Sequence, residues 1–219
     1  MSRRKLDHYQ FSAQAHNVIE AGKPLYTSVK GKWNELYFNN NNSIVLELAC
    51  GKGEYSVGLG KLFPDKNFIG MDIKGDRIAR GSLAAIQGNL SNVAFLRAGI
   101  RYADEFFEDQ ELNEIWLVHP DPQVRERDEN KRLTNADFLA RYSRYLSDNG
   151  LFFLKTDSSF LYEYSLSSLQ ASGLFQIISH TADLYNSDLM DEHYGVKTHY
   201  EKIFVSKGHT IKYIKALKK

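Results

Sequence analysis

The chain has 219 residues, 42% hydrophobic and 25% charged, with a formal net charge of +1. That composition is ordinary for a globular chain and long enough for one domain with a sizeable core. The chain holds no apolar run long enough to cross a membrane, and the near-neutral charge argues against a strongly basic nucleic-acid binder, so any nucleic-acid contact must come from local patches.

Residues 1–42 read as an N-terminal extension. The basic opening Met1-Ser-Arg-Arg-Lys is not followed by an apolar run, so no signal peptide is expected. Tyr9, Phe11, Tyr26, Trp33 and Tyr37 are its aromatic anchors, and the polar run Asn39 to Asn42 separates it from a main domain over 43–219. From Ile44 onward strands alternate with helices. Strands are expected at 44–49, 67–73, 93–98, 114–119, 151–156, 175–180 and 198–206. Helices are expected near 54–63, 76–88, 101–108 and 135–147, with another after Asp157. Thr134, with Asp137 three residues on, resembles a helix N-cap pair. The alternation predicts an α/β fold: a doubly wound, mostly parallel seven-stranded sheet with one late antiparallel strand.

The first strand carries the strongest chemical signal. Ile44, Val45, Leu46 and Leu48 form an apolar run, then Gly51 and Gly53 make a turn and Glu54 opens a helix. A strand, glycine turn and helix N-terminus suit a nucleotide-like cofactor, because a turn without Cβ atoms admits close approach. A dinucleotide fingerprint wants a third glycine at position 56, where this chain has Ser56. Glu47, inside the strand, would repel a pyrophosphate and suits a cationic ligand such as S-adenosylmethionine. Asp72 ends the second strand about 20 residues beyond the turn, where an acid typically holds ribose hydroxyls. Cys50 is the one cysteine. It excludes a disulfide framework, makes the cytoplasm the default location, and reads as small-residue filler within the turn.

A second constellation follows the fourth strand. Asp121 stands between Pro120 and Pro122, which fix the backbone around it. The loop beyond carries Arg125, Arg127, Lys131 and Arg132, cations that could contact phosphates, diluted by Glu126, Asp128 and Glu129. Asp157 and Ser158 end the fifth strand, with Ser158 a helix-cap candidate. Thr198, His199, Tyr200 and Glu201 open the expected last strand. His119, His180, His193 and His199 lack metal-ligand spacing, so no metal site is expected.

Together these motifs resemble the bacterial tRNA (guanine-N7-)-methyltransferase family. The resemblance rests on Leu46-Glu47 with Gly51 and Gly53, on Asn67-Phe-Ile-Gly-x-Asp72, on Pro120-Asp121-Pro122 with Lys131-Arg132-Leu133, on Thr156-Asp157, and on Thr198-x-Tyr200-Glu201 with Phe204, Gly208 and Ile211. It implies a Rossmann-like methyltransferase fold and methyl transfer from S-adenosylmethionine to N7 of a tRNA guanosine, usually at position 46. It also implies that Glu47, Gly51, Gly53 and Asp72 bind the cofactor and that Asp121 is catalytic. Arg125, Asp157, Thr198, His199, Tyr200 and Glu201 would line the guanosine or tRNA site, and the lysines of the tail (Lys212, Lys215, Lys218, Lys219) would help position the tRNA. Three departures stand out: Gly99 where the family often has an acid near the adenine, Gln123 in place of a tryptophan, and an acid-diluted basic loop. The expected enzyme is cytoplasmic, a monomer or homodimer, with tRNA as partner, no membrane and no obligatory protein partner. The alternatives are a small-molecule methyltransferase and a non-catalytic RNA-binding protein of the same fold.

Overall fold

The computed structural model describes residues 3–219, with side chains from Leu6 onward. Met1 and Ser2 of the basic opening lie outside the described residues. The chain divides into two compact units, one ending at Glu111 and one spanning Leu112–Lys219.

The first unit holds helix α1 (Arg3–Gln14), strand β1 (Val18–Ile19), β2 (Ser43–Leu48), α2 (Glu54–Leu62), β3 (Lys66–Asp72), α3 (Gly75–Gln87) and β4 (Val93–Arg97). Its strands lie in the order β1-β4-β3-β2, all parallel. The run Ile44 to Leu48 is buried throughout, as a parallel strand covered on both faces must be. Packing here centres on Phe95. A Cβ at Gly53, Gly70 or Gly81 would fall 2.2, 2.9 or 2.7 Å from its ring. Three glycines from a turn, a strand and a helix are thus needed to seat one aromatic ring.

The segment before residue 43 is built into this unit. Trp33 is fully buried, stacks on Phe107 at 5.8 Å and donates from Nε1 to the Phe106 carbonyl at 2.9 Å. Such a pair adds about 0.5–1.5 kcal/mol beyond area burial. The Lys23 ammonium donates to the carbonyls of Ser12, Ala15 and Val18 at 2.7–2.8 Å, tying the end of α1 to β1.

The second unit holds β5 (Leu112–Val118), α4 (Ala136–Tyr145), β6 (Leu146–Thr156), α5 (Ser159–Ser172), β7 (Phe175–Thr181), α6 (His199–Ser206) and β8 (Lys212–Lys218). Its strand order is β5-β6-β8-β7. β5 pairs parallel with β6, and β8 runs antiparallel to both β6 and β7. The mostly parallel α/β design with one late antiparallel strand is therefore present. The described residues contain eight strands rather than seven, because Val18–Ile19 adds a short one beside β4.

The antiparallel strand is not where the residue pattern put it. The 198–206 segment is helix α6, and the strand is Lys212–Lys218. Thr198 and Glu201 form a reciprocal capping box, which sets a helix start ahead of Ile203, Phe204 and Val205. Likewise, α4 is capped by Asn135, whose side chain accepts from the Phe138 N–H, whereas Thr134 bonds Ser165.

Candidate functional site

The glycine turn of the first unit is held by two carboxylates. Gly53 (φ +63°) caps α2 through its backbone, a conformation that glycine adopts at little cost. Glu47 accepts from the Ser56 backbone N–H at 2.8 Å and from the Ser56 hydroxyl. Ser56, the residue that breaks the dinucleotide pattern, is thus the anchor for the strand's acid. Burial pushes the Glu47 carboxyl up to about 7, against the lowering effect of the Ser56 bonds. Asp72 accepts from the Gly51 N–H at 2.9 Å and the Lys74 N–H at 2.8 Å, tying the turn to the end of β3. Burial raises the Cys50 thiol well above its ordinary range, which suits packing filler rather than a nucleophile.

The turn is open where a ligand would need it. A Cβ at Gly51 (φ +56°) would meet nothing within 4 Å, unlike one at Gly53. Beyond Asp72 a pocket of about 340 Å³ is lined by Ile73, Gly99, Tyr102, Arg97, Tyr26 and Glu20, among others. Ile73 and Tyr102 are exposed apolar surfaces at the carboxyl ends of β3 and β4, where α/β sheets take ligands.

In the second unit, Asp121 is exposed in the loop after β5 and accepts from the Gln123 N–H at 3.1 Å. His119 (φ +49°) and Gln123 (φ +47°) flank it in the left-handed region, so the loop is sharply folded on both sides. The left-handed His119 turns its ring inward. Its Nδ1 lies 3.1 Å from Asp157 Oδ1 and its Nε2 lies 3.6 Å from Glu201 Oε2. Glu201 is fully buried, pairs with the equally buried Lys155 at 2.8 Å and accepts from the Tyr185 hydroxyl. Burial pushes the Glu201 carboxyl up, but the His119 imidazole and the Lys155 ammonium outweigh it and leave the group at about 2. Burial alone would lower His119, yet Asp157 and Glu201 hold its pKa above the ordinary value. The His119 ring thus sits between two carboxylates.

The structure separates the expected site residues by role. Asp121, Arg125, His199 and Tyr200 are exposed, Asp157 is half-buried, and Thr198 and Glu201 are buried, with Glu201 inside the ion-pair cluster. Arg132 is not available to phosphate. It is 5% exposed, donates from Nε to the Gln123 carbonyl at 3.0 Å and lies over the rings of Phe160 and Tyr164. Three of the four tail lysines are also committed: Lys212 Nζ to the Asp157 carbonyl, Lys215 to Glu192, and Lys218 to the Leu146 carbonyl, whereas Lys219 is exposed. Exposed cations of this unit include Arg125, Arg127 and Lys131 in the loop, with Lys197, Lys202 and Lys207 around α6. His119, Lys155 and Tyr185 were not selected as site residues from the sequence. The Thr198-x-x-Glu201 capping signal could have located Glu201 on a helix; nothing local points to Lys155 or Tyr185 as its partners.

Residues 41–214 match the family described as "Putative methyltransferase". A tRNA (guanine-N(7)-)-methyltransferase of Bacteroides fragilis is 45% identical over 99% of this chain and 86% of its own length. One from Porphyromonas gingivalis is 46% identical over 94% and 82%, and one from Cytophaga hutchinsonii is 41% identical over 98% and 97%. Among solved structures, the 16S rRNA methyltransferase KamB shares 12% identity, with a TM-score of 0.64 over 84% of this chain and 91% of that one. At that identity the likeness concerns the fold, which is the Rossmann-like methyltransferase fold.

Proposed function

The chain belongs to the tRNA (guanine-N(7)-)-methyltransferase family, and from that premise we propose that it methylates N7 of the variable-loop guanosine at tRNA position 46, in the cytoplasm, with S-adenosylmethionine as donor. The observation that carries the reading is the extent of the match, which runs over 99% of the chain at 45% identity and so spans the glycine turn, the Asp121 loop and the Thr198–Glu201 segment alike. No helix among the described residues is long and apolar enough to cross a membrane.

The first unit fits the donor. The space over Gly51 admits a ligand against the backbone, and Asp72, although it accepts from two N–H groups, has lone pairs left for ribose hydroxyls. Glu47 stabilises a cationic ligand through charge, and Gly53 shapes the turn. When bound, S-adenosylmethionine supplies a methyl group on a cationic sulfur, activated for displacement without metal assistance.

The second unit serves the base. Guanine N7 presents a lone pair and no proton, so no general base is required there. The chain's task is alignment, which can contribute roughly 7–11 kcal/mol in favourable cases. As positive charge reaches the purine, its N1–H and exocyclic amine become stronger donors, and Asp121 and Asp157 are the carboxylates proposed to accept from them. Asp157 retains 24% exposure beside His119, so it can face a ligand while held from behind. Arg125, with Thr198, His199, Tyr200 and Glu201, forms the proposed guanosine and tRNA site. The exposed Arg125, His199 and Tyr200 make direct contact, while Thr198 and Glu201 shape the helix start that presents them.

Methyl transfer to unmodified tRNA transcripts tests this. Label is expected as 7-methylguanosine in a transcript with guanosine at position 46 and absent when adenosine replaces it. Asp121→Asn is expected to lower turnover at least about tenfold with tRNA affinity kept; full turnover would remove Asp121 from the chemistry. Binding of donor without transfer to either transcript would favour a small-molecule substrate, and absence of donor binding would favour the non-catalytic alternative.

A further inference from the structure

The pocket beyond Asp72 poses a question that the family's pattern leaves open in this chain. An acid near Gly99 would read the cofactor's base, and Gly99 has no side chain. A carboxylate is nevertheless present in the pocket: that of Glu20, which comes from the N-terminal segment directly after β1. Resting on the cofactor reading above, we propose that Glu20, held by Arg97, is the residue that recognises the adenine of the donor and selects it by its amino group.

The placement follows from the backbone upward. β1 pairs in parallel with β4, Ile19 opposite Leu96, which brings Glu20 beside the carboxyl end of β4. The Lys23 N–H donates to the Glu20 carbonyl at 3.0 Å, and the Lys23 ammonium is clamped on three carbonyls of the same segment, so the residue is rigidly presented. Glu20 is only 8% exposed, and Arg97 Nη1 meets its Oε2 at 2.9 Å. The Arg97 guanidinium is itself seated over the Tyr9 ring at 4.7 Å. One carboxylate oxygen is thus fixed by the arginine, and both groups line the same pocket.

Acceptor beside donor is the complement of adenine. Its amino group donates, and the adjacent ring nitrogen on either edge accepts. The Glu20 carboxylate would take the amine and an Arg97 N–H would meet the ring nitrogen. Ile73, exposed and next in sequence to the ribose-holding Asp72, gives an apolar face for the ring, and Tyr102 gives an aromatic one. A hypoxanthine base would set a carbonyl oxygen against the Glu20 carboxylate and be rejected, because a site built to bond one group leaves its polar atoms unpaired with the other.

The test is direct binding, by calorimetry, of S-adenosylhomocysteine and its deaminated analogue S-inosylhomocysteine. Wild type is expected to prefer the adenosyl compound by at least about tenfold. Glu20→Gln, whose amide can turn either face to the base, is expected to reduce that preference to within about twofold, mainly by improving inosyl binding. Equal binding of the two compounds by wild type, or full preference retained in Glu20→Gln, overturns the inference while leaving the methyltransferase reading intact. Failure of wild type to bind either compound overturns the cofactor reading and this inference with it. The wild-type comparison needs no variant, so a misfolded Glu20→Gln would not spare the proposal.

Discussion

Glu47 and Glu201 are both buried carboxylates at the third residue of a helix or bonded to it, yet their acidities move in opposite directions. Glu47, in the first unit, reaches across to Ser56 of α2 and meets neutral donors. Burial dominates and lifts it to about 7. Glu201, in the second unit, meets Lys155 and His119, and falls to about 2 although it too is buried. The contrast shows that burial alone does not decide a carboxylate's state; the charge of its partners does. It also separates two kinds of site. The glycine turn is made of backbone shape with an acid behind it, whereas the second cluster is made of side-chain charges that depend on one another.

Breaking the charged cluster should give the largest effect. Lys155→Met leaves Glu201 buried opposite an apolar group and is expected to cost about 3–5 kcal/mol in denaturant unfolding. A loss under 1 kcal/mol would mean that water or His119 compensates the charge, and that the cluster is less closed than its geometry.

The two glutamates should next separate by pH. Glu201 has a folded pKa below its unfolded value, so its contribution is present above about pH 4.5 and is lost as pH falls towards 2. Glu47 has a folded pKa above its unfolded value. Between about pH 4.5 and 7 the folded state holds a proton that the unfolded state releases, so its contribution falls as pH rises. Glu47→Gln is therefore expected to gain roughly 1–3 kcal/mol relative to wild type above pH 7 and nothing near pH 4. Unfolding curves at pH 4, 6 and 8 would show this, and a pH-independent difference would contradict the raised acidity.

The smallest effect on stability should come from the open side of the turn. Gly51→Ala places a Cβ in free space at φ +56°, so its cost is about 1–2 kcal/mol of backbone strain. Binding of S-adenosylhomocysteine should fall much further than stability does, because the new methyl occupies the ligand's place. Unchanged affinity would move the ligand off this turn.

The elements of the first unit between residues 43 and 97 were legible because their signals are local, whereas the short β1 carried no such signal. An apolar run, two glycines and a following helix lie within residues 44–62, and each is dictated by its own backbone needs. Asp72 was legible for the same reason, as the end of the next strand. In the second unit the order of strands and helices was legible up to residue 180, and the segment after it was not. Ile203, Phe204 and Val205 look like strand residues, and only the Thr198–Glu201 pair, a capping box, overrules them. A charge run along the chain resembles a solvated loop, so the buried position of Arg132 has no local signal. Its side chain instead reaches back nine residues to the Gln123 carbonyl and onto two rings of α5.

By itself the sequence determined the α/β alternation, the glycine turn with its acids, and the family motifs, since each is set by spacing along a few residues. Tertiary structure alone decided which groups share a cluster. His119, Lys155, Asp157, Tyr185 and Glu201 span more than 80 positions of the numbering and meet only after β5, β6 and α6 are packed. It likewise decided that Glu20, far from the glycine turn in sequence, lines the pocket beyond Asp72. The physical reason is the same in both cases. A charge or carboxylate takes its state and its role from neighbours at hydrogen-bond distance, and those neighbours are chosen by strand pairing and helix packing rather than by proximity along the chain.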